Sequence, residues 1–243
     1  QRSIRARGGI EVDRVTELWK TRLRINADYR ESRFDFEDET VLSITRNNSI
    51  WFLQLKGLSD HWSFGGTTQL RSSTFRNLDL VYAFSPTLEY NFFPYSDFAR
   101  RELRFQYRFN LIYYDYTKIT IYDKLSEFLI EQEFQTTLEL TQPWGGAEFS
   151  LELSNIVQDF KKNRVEFYGE VDFRIGKGLS VEFSGTVSRI RDQVTLEKGD
   201  ASEEEVLLRQ RELARSYDYG VSFGLRYTFG SIYNNIVNTR FGF

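Results

Sequence analysis

Residues 216–229 read SYDYGVSFGLRYTF. Tyr217, Tyr219, Val221, Phe223, Leu225, Tyr227 and Phe229 fall on one face of an extended chain, and Asp218, Gly220, Ser222, Gly224, Arg226 and Thr228 on the other. Period-two alternation kept up for a whole strand is a β signal. A strand in water rarely needs so long an apolar face with tyrosine and phenylalanine at both ends. A strand crossing a lipid bilayer does, because such rings settle at its two interfaces.

The composition agrees with that reading. Apolar residues make up 40% of the 243 and charged residues 28%, and no run approaches the ~18 apolar residues of a membrane-spanning helix. Aromatics nevertheless reach 16%, interleaved with charges. A barrel that is polar inside and apolar outside produces that mixture. There is no cysteine, which removes disulfides, thiolate metal sites and cysteine nucleophiles together. A net charge of −3 argues against a nucleic-acid partner. Gln1 is not an initiator and no signal peptide is present, which suggests a processed or truncated form.

From the last strand backward, the same alternation marks ten more. They run over 4–12, 19–34, about 41–58, 62–75, 78–93, 101–116, 127–141, 147–160, 164–175 and 179–192. Pro86 suggests a bulge in the fifth. Ser202-x-x-Glu205 resembles a capping box, so a helix is expected over 203–214 within a long loop. Short turns at 59–60, 94–99, 143–146 and 176–178 fall at one end. The acidic connection at Asp35 and the loop at Val194 fall at the other. In outer-membrane barrels the short turns are periplasmic. The fold expected is all-β: an antiparallel, transmembrane, up-and-down barrel over 1–229, with a periplasmic tail over 230–243. Eleven strands is odd, whereas bacterial single-chain barrels are even, so twelve strands are expected natively with the first absent from this chain.

Ser222-x-Gly224-x-x-Tyr227-x-Phe229 resembles the terminal signal that the barrel-insertion machinery reads. More widely, Phe93-Pro94-Tyr95-Ser96, Gln142-Pro143-Trp144-Gly145 and the stretch YTFGSIYNNIVN at 227–238 resemble a family of uncharacterised bacterial outer-membrane β-barrels. The resemblance implies a fold and a bacterial outer-membrane location. It also implies a further strand and a small periplasmic segment before Ile4.

Catalysis in outer-membrane enzymes needs a histidine base, and the single His61 lies in a short turn beside Trp62. No enzyme activity, cofactor or metal is expected. Asp35, Glu37, Asp38 and Glu39, like Glu203 to Glu205, suit a solvated loop better than a calcium site. Trp19, Trp51, Trp62 and Trp144 are expected to anchor strand ends at the interfaces.

The inward charges remain. Arg22, Arg24, Arg30, Arg104 and Arg108 form basic stretches, and Glu131, Glu133, Glu148, Glu152, Glu166 and Glu170 an acidic one. Arg104 and Arg108 are expected to pair with the glutamates of the next strand. The basic second strand should face the acidic eighth and ninth across the lumen. Two readings follow: a narrow, weakly cation-selective pore, or a filled scaffold. The alternative is a membrane anchor or receptor whose extracellular loops or periplasmic tail bind an envelope protein. The apolar tail is expected to pack into the periplasmic mouth. Partners on either reading are outer-membrane lipid and the insertion machinery.

Overall fold

The computed structural model describes residues 2–35, 40–176, 178–199 and 213–227. Eleven strands form one antiparallel sheet, each paired only with its neighbours in sequence. They are β1 (Arg2–Val15), β2 (Trp19–Asp35), β3 (Thr40–Gly57), β4 (Trp62–Ser73), β5 (Leu78–Asn91) and β6 (Arg101–Tyr116). After these come β7 (Ser126–Gln142), β8 (Gly145–Ile156), β9 (Asp159–Gly176), β10 (Leu179–Ile190) and β11 (Tyr217–Tyr227). β1 and β11 are the sheet's edges, and no pairing joins them among the described residues. Eleven being odd, the two edges run in the same direction.

Connections 16–18, 58–61, 92–100, 143–144 and 177–178 share one end, the turn end. Connections 36–39, 74–77, 117–125, 157–158 and 191–216 share the other, the loop end. The expected sorting of short from long is therefore incomplete, because 74–77 and 157–158 are short connections at the loop end. Of the expected helix, residues 203–212 lie outside the described residues and 213–214 are irregular. The acidic connection at 36–39 and the tail at 230–243 also lie outside them.

Burial is inverted relative to a protein folded in water. Ser63, Ser85, Asn110, Glu133, Thr137 and Ser154 are buried. Their strand neighbours on the opposite face, Phe64, Phe84, Phe109, Phe134 and Leu153, are exposed. Neighbouring residues on a strand point to opposite faces, so the sheet has one polar, sheltered face and one apolar, open face. Buried apolar side chains gather in two small clusters near the loop end. One holds Leu78, Val81 and Tyr116, the other Leu129, Ile156 and Val194, and Tyr114 packs against both.

Pro86 makes no bulge. The β5–β6 register is the same on both sides of it (Phe84 opposite Leu111, Thr87 opposite Arg108), and only the pairs at Ser85 and Pro86 are missing. Proline removes one donor without inserting a residue, so the ladder opens locally and closes again in step. The true irregularities are at the loop end of the β4–β5 and β5–β6 ladders, between Arg71 and Ser73 and between Leu78 and Leu80. Asn77 there takes a left-handed conformation (φ 58°). At the turn end, Gly145 closes the β7–β8 hairpin at φ +144°, where a Cβ would meet the carbonyl oxygen of Asp172 at 1.8 Å.

Candidate functional site: the polar face

Register places all eleven arginines and glutamates singled out above on the polar face. Arg22, Arg24 and Arg30 of β2 share it with Trp51, Leu53 and Thr45 of β3, which face them directly. Arg104 and Arg108 of β6 share it with Glu131 and Glu133 of β7, and Glu148 and Glu152 of β8 lie opposite Glu170 and Glu166 of β9.

Arg22 and Arg24 of β2 find their counter-charges on β1, not across the sheet. Arg22 donates from Nε to Asp13 at 2.5 Å and from Nη2 at 2.9 Å, and Arg24 donates to Glu11 at 2.7 Å. Arg5 (3.3 Å) and Arg7 both reach Asp28. The hairpin at 16–18 sets Asp13 opposite Arg22 and Glu11 opposite Arg24, so the pairing is local. These pairs are half exposed, and each contributes little to stability. They match Arg22 and Arg24, while Arg30 lies opposite Arg5 of β1 and Thr45 of β3. The partners were present in the sequence as Glu11 and Asp13, and the turn position would have found them.

Further round, the expected pairing with the next strand is close at Arg108 and long at Arg104. Arg108 donates to Glu133 at 2.5 Å, and Asn110 donates to Glu131 at 2.8 Å. Arg104 lies opposite Thr137 instead of a glutamate. It bonds Glu102 on its own strand at 2.8 Å and is 3.8 Å from Glu139. Glu102, Glu139, Glu148 and Glu170 stand directly opposite one another in a row over four consecutive strands. Like charges set opposite one another in a sheet repel. Such a row favours whatever brings positive charge to it. Alternation already sets Glu102 and Glu139 on the inward face, and only register lines them up with Glu148 and Glu170.

Both ends are furnished. At the turn end the hydroxyl of Tyr95 lies 2.9 Å from Ser63 Oγ and donates to Glu89 at 2.7 Å, while Gln106 donates to the other oxygen of Glu89. On the apolar face, Trp62, Tyr90, Phe105 and Phe134 form a ladder of rings with successive centroids 4.8, 6.5 and 6.4 Å apart. Trp19, Trp62 and Trp144 are all exposed at this end. Trp51 is not an anchor. It lies within β3 on the polar face, with the Arg24 guanidinium 5.6 Å from its ring centre, an attraction between cation and ring quadrupole.

At the loop end, residues 191–198 turn back over the sheet and dock on 117–125. Ile121 donates to Leu196 O at 2.8 Å, Lys198 donates to Ile119 O at 2.9 Å, and Thr120 pairs with Glu197. Lys118 and Lys198 make ion pairs with Glu197 and Asp123. Asn77 ties a third connection in, donating to Lys118 O and Thr195 O while accepting from Lys118 N. Arg164 of β9 grips both oxygens of Asp192 at 3.1 and 2.9 Å and also bonds Glu166.

His61 Nδ1 is 2.8 Å from Asn91 O, and its ring stacks on Tyr90. A nitrogen held on a backbone carbonyl carries the proton and is not a base there. Among the described residues no group of three or more acidic, histidine or cysteine side chains could hold a metal ion. Of the four positions of the expected insertion signal, Ser222 and Gly224 lie on the polar face of β11 and Tyr227 on the apolar face. Phe229 lies outside the described residues.

The class these observations define is an eleven-stranded antiparallel meander with a polar sheltered face and an apolar open one. No protein-family model matches the chain, and no curated protein matches its sequence. Among solved structures, a NanC porin in a rhombohedral crystal form is similar at a TM-score of 0.42 and 8% identity, over 93% of this chain and 99% of that one. Nothing about this chain's solute or partners follows from an overlap so low.

Proposed function

We propose that this protein is a β-barrel of the bacterial outer membrane whose polar face lines a narrow passage favouring cations, and that it is not an enzyme. The inverted burial carries the reading. Large aromatic and aliphatic side chains exposed along nearly every strand, over buried serine, asparagine and glutamate, are costly in water and favourable in lipid. The cation preference rests on the row Glu102, Glu139, Glu148 and Glu170, because Arg22 and Arg24 of β2 are already matched by Asp13 and Glu11 of β1. A water-filled cleft with one sign of charge on its wall concentrates counter-ions. Outer-membrane lipid on the apolar face, and insertion machinery reading Ser222, Gly224, Tyr227 and Phe229, are the partners this reading requires.

Single-channel recording in planar bilayers tests it, using the intact chain and a variant with Glu148, Glu152, Glu166 and Glu170 changed to Gln. A small cation-selective conductance is expected, with selectivity largely lost in the variant. Conductance whose selectivity ignores the four changes would refute the assignment of the acidic face. No conductance would leave a scaffold. The anchor or receptor alternative draws on one observation, the interlocked 117–125 and 191–198 connections, which offer a rigid surface for an envelope protein.

A further inference from the structure

Segment 191–198 leaves the end of β10 and crosses the polar face, and its contacts step from strand to strand. Asp192 is held by Arg164 of β9 in a two-pronged pair. Val194 packs with Ile156 of β8 and Leu129 of β7, and Tyr114 of β6 lies against that cluster. Register and alternation put these four strand residues on the face that carries Arg108, Glu133 and Glu152. The next residue, Thr195, accepts from Asn77 in the 74–77 connection, on the far side of β5. Leu196 to Lys198 then pair with 119–121. The segment is thus a strap laid across the loop end of the polar face, from β9 to the connection between β4 and β5. The space left beneath it is a cavity of about 160 Å³, roughly the room of one benzene ring.

We infer that this strap is the constriction of the passage: its docking, and not the number of strands, limits the size of solute that crosses the loop end. The inference rests on the polar face lining a passage, as proposed above. Strand number sets the girth of a barrel, but a segment pinned across the mouth takes area from within it. The clasp is built to hold. Asn77 is buried, donates to Lys118 O and Thr195 O, and accepts from Lys118 N. Thr120 is fully buried opposite Glu197, with the bonds from Ile121 N to Leu196 O and from Lys198 N to Ile119 O on either side of that pair. None of these contacts belongs to the ladder between β10 and β11, whose last pair is Arg189 with Tyr217. The strap can therefore be freed by substitution without unpairing a strand.

Planar-bilayer recording of the full chain tests the strap, with unit conductance and the largest polyethylene glycol admitted as readouts. Asn77→Gly removes the clasp and keeps the left-handed backbone (φ 58°) of this position, while Val194→Ser weakens the apolar seat. The double variant should conduct about twofold or more above the unaltered chain and admit larger glycols. Thr120→Cys with Glu197→Cys then pins the strap again, in a chain with no cysteine of its own. The backbone bonds flank the Thr120–Glu197 pair, which makes it the non-hydrogen-bonded kind, with side chains close enough for a disulfide. With all four changes combined, oxidation should return the conductance to that of the unaltered chain, and reduction should raise it again. That comparison is made within one protein, so a folding defect cannot imitate it. A silent unaltered chain beside a conducting double variant also supports the strap, as one that shuts the mouth completely. Equal conductance and equal size limits in the two would overturn it and leave the passage standing, as would a disulfide that forms and changes nothing. Silence in both removes the passage, and the strap with it.

Discussion

Tyr95 shows how much one side chain can fix in this molecule. It sits in the 92–100 connection, and its hydroxyl spans Ser63 of β4 and Glu89 of β5. Burial, reinforced by the hydrogen bond to Glu89, pushes the phenol well above its usual value near 10. The unfolded chain therefore ionises at a pH where the folded chain keeps its proton. The stability from Tyr95 is fully present below pH 10 and is lost as pH rises beyond it. Comparing urea midpoints at pH 8 and pH 11 should show a steeper alkaline loss in the unaltered chain than in Tyr95→Phe. The variant should start about 1 kcal/mol lower at neutral pH. Equal losses in both would mean that the hydroxyl is not sheltered in the fold. Trp51 belongs to the same scale: alternation alone could not say which face it took, because Leu53 and Leu55 beside it are as apolar as any lipid-facing pair. Only the pairing of β3 with β2, which sets Trp51 against Arg24, decides it.

Strands are where the two-faced character can be tested directly. Phe167 lies midway along β9 on the open apolar face, and Tyr168 beside it lies on the polar face, bonded to Glu170. If the apolar face meets lipid, Phe167→Arg should cost about 2–4 kcal/mol of folding stability in vesicles. Tyr168→Arg, beside acidic neighbours, should cost clearly less. Equal costs would mean that the open face is not in hydrocarbon. This periodicity was also what the sequence displayed best. Eleven strands were legible, with bounds within a few residues for most, because each carries a run of alternating residues that no helix could satisfy. Less was legible wherever the answer depends on which residue stands opposite which. The β1–β2 ion pairs, the four-glutamate row and the in-step passage through Pro86 are all consequences of register, and register is set by hairpin turns. The docking of 191–198 on 117–125 was invisible, since it joins two irregular segments through backbone bonds and one asparagine.

At the scale of the whole molecule the decisive feature is the pair of edges. β1 and β11 run the same way, and each carries a row of backbone groups that face no described strand. In hydrocarbon an unsatisfied backbone group costs several kcal/mol, so an open edge is not tolerated. One extended segment running opposite to both edges would close the sheet with an even number of strands, as expected for a native twelve-stranded barrel. Amide exchange of the membrane-embedded native protein should then find β1 and β11 as protected as β6 and β7. Fast exchange confined to those two strands would leave the sheet open and remove the barrel reading. The topology has a further consequence, for assembly and descent. Because every described strand pairs only with its neighbours in the chain, each hairpin can join the one before it without waiting for a distant segment, and contact order within the described sheet stays low. Gain or loss of a hairpin by duplication or deletion would leave every other register untouched. The width of the sheet is thus a quantity that such a chain can change in steps of two strands, while the chemistry carried on each remaining hairpin is inherited intact.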